Sequence, residues 1–94
     1  MEAQTNTTTT IFLPESLLKN LSYNQKRIIE ALASKPEGIL SRALTHKTGV
    51  SNKSDTIKFS VRQFLAKYEL EVHTERVPEK KQWLWVLRPL EYAE

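Results

Sequence analysis

The sequence predicts an α+β domain with its helices first and a β-hairpin last. Three observations predict it. Apolar residues recur at helical spacing as far as Tyr68, and the period changes to two after Glu69. Between these limits a tight turn, Thr48-Gly49-Val50, separates two helix starts. A chain of 94 residues supports one hydrophobic core rather than two. Its apolar content of 39% and two tryptophans suffice for that core, and its 27% charged content is ordinary for a folded domain.

Residues 1–10 include four consecutive threonines, Thr7 to Thr10, and have no apolar period, so a disordered tail is expected there. The domain is expected over 11–94, with its core from 22 to 88. Ile11-Phe12-Leu13 reads as an apolar anchor before a short helix that starts at Pro14, whose missing N–H suits a first turn. Ser22-Tyr23-Asn24-Gln25 matches a capping box. The helix that follows turns Ile28, Ile29, Ala31 and Leu32 inward and Lys26, Arg27 and Glu30 largely outward. Pro36 and Gly38 end it.

Ile39-Leu40 is long enough for a very short strand. Ser41 is expected to cap a second helix to about Lys47, with Ala43 and Leu44 inward and Gly49 as its stop. A third helix, capped by Ser51 or Asn52, is expected to run unbroken to about Tyr68. Its buried stripe is Ile57, Val61, Phe64, Leu65 and Tyr68; its outer face shows Asn52, Asp55, Phe59, Arg62 and Gln63. Leu70, Val72 and Thr74 then alternate with Glu71, His73 and Glu75 as a half-buried strand. A polar turn over 77–82 leads into Trp83-Leu84-Trp85-Val86-Leu87, a strand apolar on both faces.

Charge is distributed unevenly along this pattern. Between Gly38 and Lys67 lie Arg42, Lys47, Lys53, Lys58, Arg62 and Lys67 against one acid, Asp55, a local excess of five. The whole chain is only +3, so the remainder is net acidic by two. A helix, turn and helix that gather the positive charge suit a phosphate-seeking surface. The plainer reading is a solvated helix face, against which Lys58 and Arg62 sit as like charges at i and i+4.

The same order of elements resembles the winged helix-turn-helix domain over 22–88. The residues that carry the resemblance are Lys35-Pro36-Glu37-Gly38-Ile39 before Ser41, then Thr48-Gly49-Val50-Ser51, and the hairpin from Glu71 to Val86. Small bacterial and phage domains are similar in their Pro-Glu-Gly and Thr-Gly pairs. The resemblance implies a three-helix core with a two- or three-stranded β-wing, and double-stranded DNA as partner. It implies that helix 52–67 enters the major groove and that wing 78–82 touches the backbone, as in a small transcriptional or mobile-element regulator. Phosphates would then fall to Arg42, Lys47, Lys53, Lys58, Lys80 and Lys81, with Ser54 beside them. Asn52, Thr56, Arg62 and Gln63 have the chemistry to read base edges, and Phe59 to touch a thymine methyl. The sequence departs from the pattern in a short wing without glycine and in the exposed Asp55 and Phe59.

Other readings stay open beside this one. Phe59 with Asp55 would equally form a docking patch for a protein partner, and Asp55 in a first turn serves the helix dipole without touching any base. Trp83 and Trp85 read first as core, with base stacking as the alternative. Homodimerisation is expected for high specificity, through 11–21 and 87–92. Without cysteine there are no disulfides or thiolate metal sites. His46 and His73 lack a third ligand, so no metal or other cofactor is expected. No nucleophile or paired-carboxylate constellation supports an enzyme, and no apolar run spans a membrane, which gives a cytoplasmic expectation.

Overall fold

Ser22 begins the second helix through a reciprocal cap. Its Oγ accepts the Gln25 N–H at 3.2 Å, and Gln25 Oε1 accepts the Ser22 N–H at 2.9 Å. The helix it starts, α2 (Tyr23–Ala33), buries Ile28, Ile29, Ala31, Leu32 and Ala33 against the rest of the core. The computed structural model describes residues 11–90, so the expected tail and residues 91–94 lie outside the described residues. Among the described residues, five helices and one three-stranded antiparallel sheet make up a small α+β domain.

Ahead of α2, the single turn α1 (Glu15–Leu18) has Pro14 at its N-cap, one position earlier than expected. Leu17 is fully buried and Ile11 and Leu13 pack on the same core, which therefore begins before residue 22. Leu87 is fully buried as well. Of the segments expected to form a dimer surface, Leu17 and Leu87 are fully buried and Ile11, Leu13 and Leu21 partly buried against the monomer's own core, while residues 91–92 lie outside the described residues. Phe12, at 79% exposure, is the exception.

β1 (Ile39–Leu40) pairs with the last strand, and Gly38 lets it approach. Gly38 has φ +105°, and a Cβ there would sit 2.8 Å from Val86 Cγ2. The next helix, α3 (Ser41–Thr48), has Leu40 in the cap position, so Ser41 is its first residue rather than its cap. The Arg42 N–H is instead satisfied at 2.9 Å by Gln82 Oε1, from the far end of the hairpin. Leu44 is buried as expected, but Ala43 is exposed. Gly49, at φ +78°, stops the helix. Thr48 fixes the turn beyond it, its hydroxyl donating to the Leu44 carbonyl at 2.7 Å and accepting the Val50 N–H at 3.1 Å.

The expected unbroken third helix is two helices, α4 (Lys53–Thr56) and α5 (Phe59–Ala66). Ile57 leaves helical geometry at φ −103°, ψ 73°, and Lys58 is fully extended. Thr56 and Ile57 are both β-branched, which lowers their helix propensity, and the break carries Ile57 inward to full burial. The inner stripe survives it: Val61 and Leu65 are buried, with Phe64 and Tyr68 partly so.

β2 (Leu70–Val77) and β3 (Gln82–Pro89) form the hairpin, and the sheet order is β1-β3-β2. Thr74 lies opposite Trp85 and Val77 opposite Gln82. Both strands reach further than the alternation suggested, leaving a tip of only Pro78 to Lys81. Trp83 and Trp85 share one strand face, yet only Trp85 is buried. β3 outruns the core, so Trp83 keeps 46% exposure and Arg76 stacks over its ring at 6.0 Å.

Candidate functional site

The local excess of positive charge folds onto α3, α4 and α5 together with the residues that join them. Arg42 and Lys47 project from α3 and Lys58 from the α4–α5 break, all exposed. Lys80 and Lys81 are exposed at the hairpin tip. Among the described residues Arg88 pairs with Glu71 at 2.5 Å and His73 Nε2 lies 3.4 Å from Glu75 Oε1, and neither contact involves these cations. The face therefore keeps its charge, and a Lys or Arg without an internal acid is open to an anion from outside. Asn52, Ser54 and Gln63 are exposed beside it, and Phe59 stands out at 72% exposure.

Three of the expected contact residues are placed differently. Lys53 is buried at 8% exposure, its Nζ donating to Thr45 Oγ1 at 2.5 Å. Burial pushes its pKa below the ordinary value of 10.5, since desolvation disfavours the ammonium. The sequence carried a signal for this: Lys53 lies four residues before Ile57 and so falls on the inward stripe with Val61 and Leu65. Arg62 is half-buried and bound to the sheet, its Nη1 donating to the Val72 carbonyl at 2.6 Å. Thr56 is half-buried, and its hydroxyl donates to the Asn52 carbonyl at 3.0 Å within its own turn. Gln82, expected in the wing, faces α3 as its cap. Arg27, read as outward, donates from Nε to the Thr48 carbonyl at 2.8 Å and from Nη1 to the Tyr23 hydroxyl at 3.1 Å. It joins α2 to the C-terminal end of α3, a favourable place for a cation.

Lys53 and Arg62 meet in the wall of a cleft of about 420 Å³ between α4–α5 and the hairpin. The hydroxyls of Ser41, Ser51, Ser54 and Thr74 line it, with the rings of Trp83 and Trp85 on the sheet side. No carboxylate is part of this wall. The sequence suggested neither Ser51 nor Thr74 as a site residue, and assigned both tryptophans first to the core. The signal that could have found them is the hairpin register, which sets Thr74 against Trp85. A second, more apolar groove of about 270 Å³ runs beside Phe59, walled by Ala66, Leu70, Val72 and Leu90.

No family model, curated protein or solved structure matches this chain. Among the described residues no group of three or more His, Asp or Glu side chains could hold a metal ion. No described helix is long and apolar enough to cross a membrane.

Proposed function

We propose that this chain is a double-stranded DNA-binding protein of the winged helix-turn-helix kind, a regulator rather than an enzyme. In this reading α3, the Thr48–Val50 turn and α4–α5 form the helix-turn-helix, and the β2–β3 hairpin is the wing. The observation that carries the reading is the exposed set Arg42, Lys47 and Lys58, which no acid neutralises among the described residues, on the elements that would face the groove. The sheet order, with β1 beside the hairpin, fits the same architecture. Arg42, Lys47 and Lys58 hold phosphates, Lys80 and Lys81 reach the adjacent backbone, and Asn52, Ser54 and Gln63 face the base edges. Lys53 and Arg62 leave the outer, groove-facing set of phosphate ligands, because each turns inward to an oxygen of the fold.

Each phosphate contact releases condensed counterions, so log affinity for duplex DNA should fall against log salt with a slope near −0.9 per contact. Four or five contacts give a slope of roughly −4 to −5. Replacing Lys47 and Lys58 by alanine should flatten it by about one to two units, whereas replacing the exposed Lys19 and Lys35 should change it little. A slope near zero, or a loss confined to the Lys19 and Lys35 variant, defeats the reading.

A protein-docking role has one observation in its favour: Phe59 stands exposed beside the apolar groove that ends at Leu90. Phe59→Ala separates the two. A change in preference among DNA sites, with nonspecific affinity nearly constant, supports DNA reading. Loss of a bound protein, with DNA retention intact, supports docking.

A further inference from the structure

We propose that the cleft between α4–α5 and the hairpin binds a single nucleotide unit, its base stacked on Trp83 and its phosphate held by Lys53 and Arg62. The inference goes beyond duplex binding and stands whether or not a duplex docks on the outer face.

The wall joins two cations to four hydroxyls with no carboxylate among them. Each cation is only partly satisfied. An ammonium has three donors, and the hydrogen bond found for Lys53 goes to Thr45. A guanidinium has five, and the one found for Arg62 goes to the Val72 carbonyl. A cation as buried as Lys53 is costly when its partner is only a neutral hydroxyl. An anion entering the cleft would remove that cost. Among the described residues no hydrogen bond engages the hydroxyls of Ser51, Ser54 or Thr74, so they are free to donate to phosphate or sugar oxygens.

The anion alone does not explain the sheet side of the cleft. There Trp83 offers an indole at 46% exposure, oriented by Arg76 stacked above it. A base on an exposed tryptophan gains stacking whatever its identity. A volume of about 420 Å³ accommodates a small ligand. Charge at one side and an aromatic platform at the other fit a planar base joined through a sugar to a phosphate. Two sources share that chemistry: a free nucleoside monophosphate, and an unpaired nucleotide at the end of a DNA strand.

The test titrates the full chain with dAMP, deoxyadenosine alone and inorganic phosphate, followed by calorimetry and tryptophan fluorescence. Two further arms use a blunt duplex and the same duplex carrying an unpaired overhang. The expected result is saturable dAMP binding, tighter than that of either half. Trp83→Ala should weaken dAMP about tenfold, one base-stacking contact, while leaving inorganic phosphate unchanged. Ser54→Asp, at an exposed position that tolerates substitution, should weaken both by about tenfold through repulsion of the anion. Lys53→Met should do the same, and Ser54→Asp decides the matter if that variant fails to fold. Binding of free dAMP identifies a free nucleotide as the source; binding confined to the overhang identifies a strand end. The proposal is overturned if neither dAMP nor the overhang binds more tightly than its control, or if Trp83→Ala and Ser54→Asp leave the affinities unchanged.

Discussion

Helix α2 and the α4–α5 segment both contribute an inward apolar stripe, but their ends are finished differently. α2 opens with a complete capping box, and two of its side chains then fasten neighbouring elements. Gln25 Nε2 donates to the Thr56 carbonyl at 3.3 Å, and Arg27 closes the end of α3. The α4–α5 segment has no side-chain cap at either start, breaks at Ile57–Lys58, and leaves Asn52, Ser54, Lys58, Phe59 and Gln63 exposed. Gln25 and Arg27 of α2 bind neighbouring elements, whereas in α4–α5 Lys53, Thr56 and Arg62 turn to the fold and the five residues just named are left to solvent. Uncapped backbone and unneutralised charge cost stability, so a chain that keeps them on one segment has that segment available for binding.

The strongest way to break this comparison is inside the shared core. Val61→Asp should unfold the protein, by about 4 kcal/mol or more, because a buried carboxylate has no partner there. Gln63→Ala, two residues on and exposed, should stay within about 0.5 kcal/mol. Similar melting temperatures for the two would reverse the assignment of inner and outer faces.

Arg27→Ala is expected next, at about 1–2 kcal/mol by thermal or urea unfolding, since it strands the Thr48 carbonyl and the end of α3. Its effect on any DNA affinity should vanish once unfolded protein is corrected for. A direct change in the salt slope would move Arg27 from the scaffold to the binding face.

Cap removal sharpens the contrast at the helix starts. Ser22→Ala should cost about 1 kcal/mol, the worth of a good N-cap. Asn52→Ala, which removes no side-chain cap bond, should cost less than about 0.5 kcal/mol. If the two costs are equal, Asn52 is structurally engaged and the segments are alike after all.

The smallest effect concerns Lys53. Its pKa in the fold lies below 10.5, so between the lowered value and 10.5 the unfolded chain binds more protons than the native one. Stability from this residue is therefore reduced at neutral pH and recovers as pH rises through that window. Measured against Lys53→Met, which lacks the titration, the wild type should gain in urea midpoint as pH is raised toward 10.5. A gap between the two that does not move with pH would show that Lys53 keeps its proton without strain.

Local physics determined much of this protein in advance. The Ser22–Gln25 cap, the Gly49 stop, the stripe through Ile57, Val61 and Leu65, and the change of period after Glu69 depend on residues a few positions apart. Such features are written in spacing and side-chain type alone. The concentration of positive charge from Arg42 to Lys67 is likewise a property of the chain. Spacing already puts Lys53 on the inward stripe, but only the tertiary structure decided what it meets there and which of the other charges remain available. Lys53 turns toward Thr45, eight residues back across the turn, and Arg62 toward the Val72 carbonyl of another element, while Lys47 and Lys58 stay outside. Gln82 capping α3 from forty residues away, Trp83 left beyond the edge of the core, and the cleft lined by both helices and sheet belong to the same class. Each depends on where distant segments pack, and periodicity within one segment carries no record of the neighbour that will cover it.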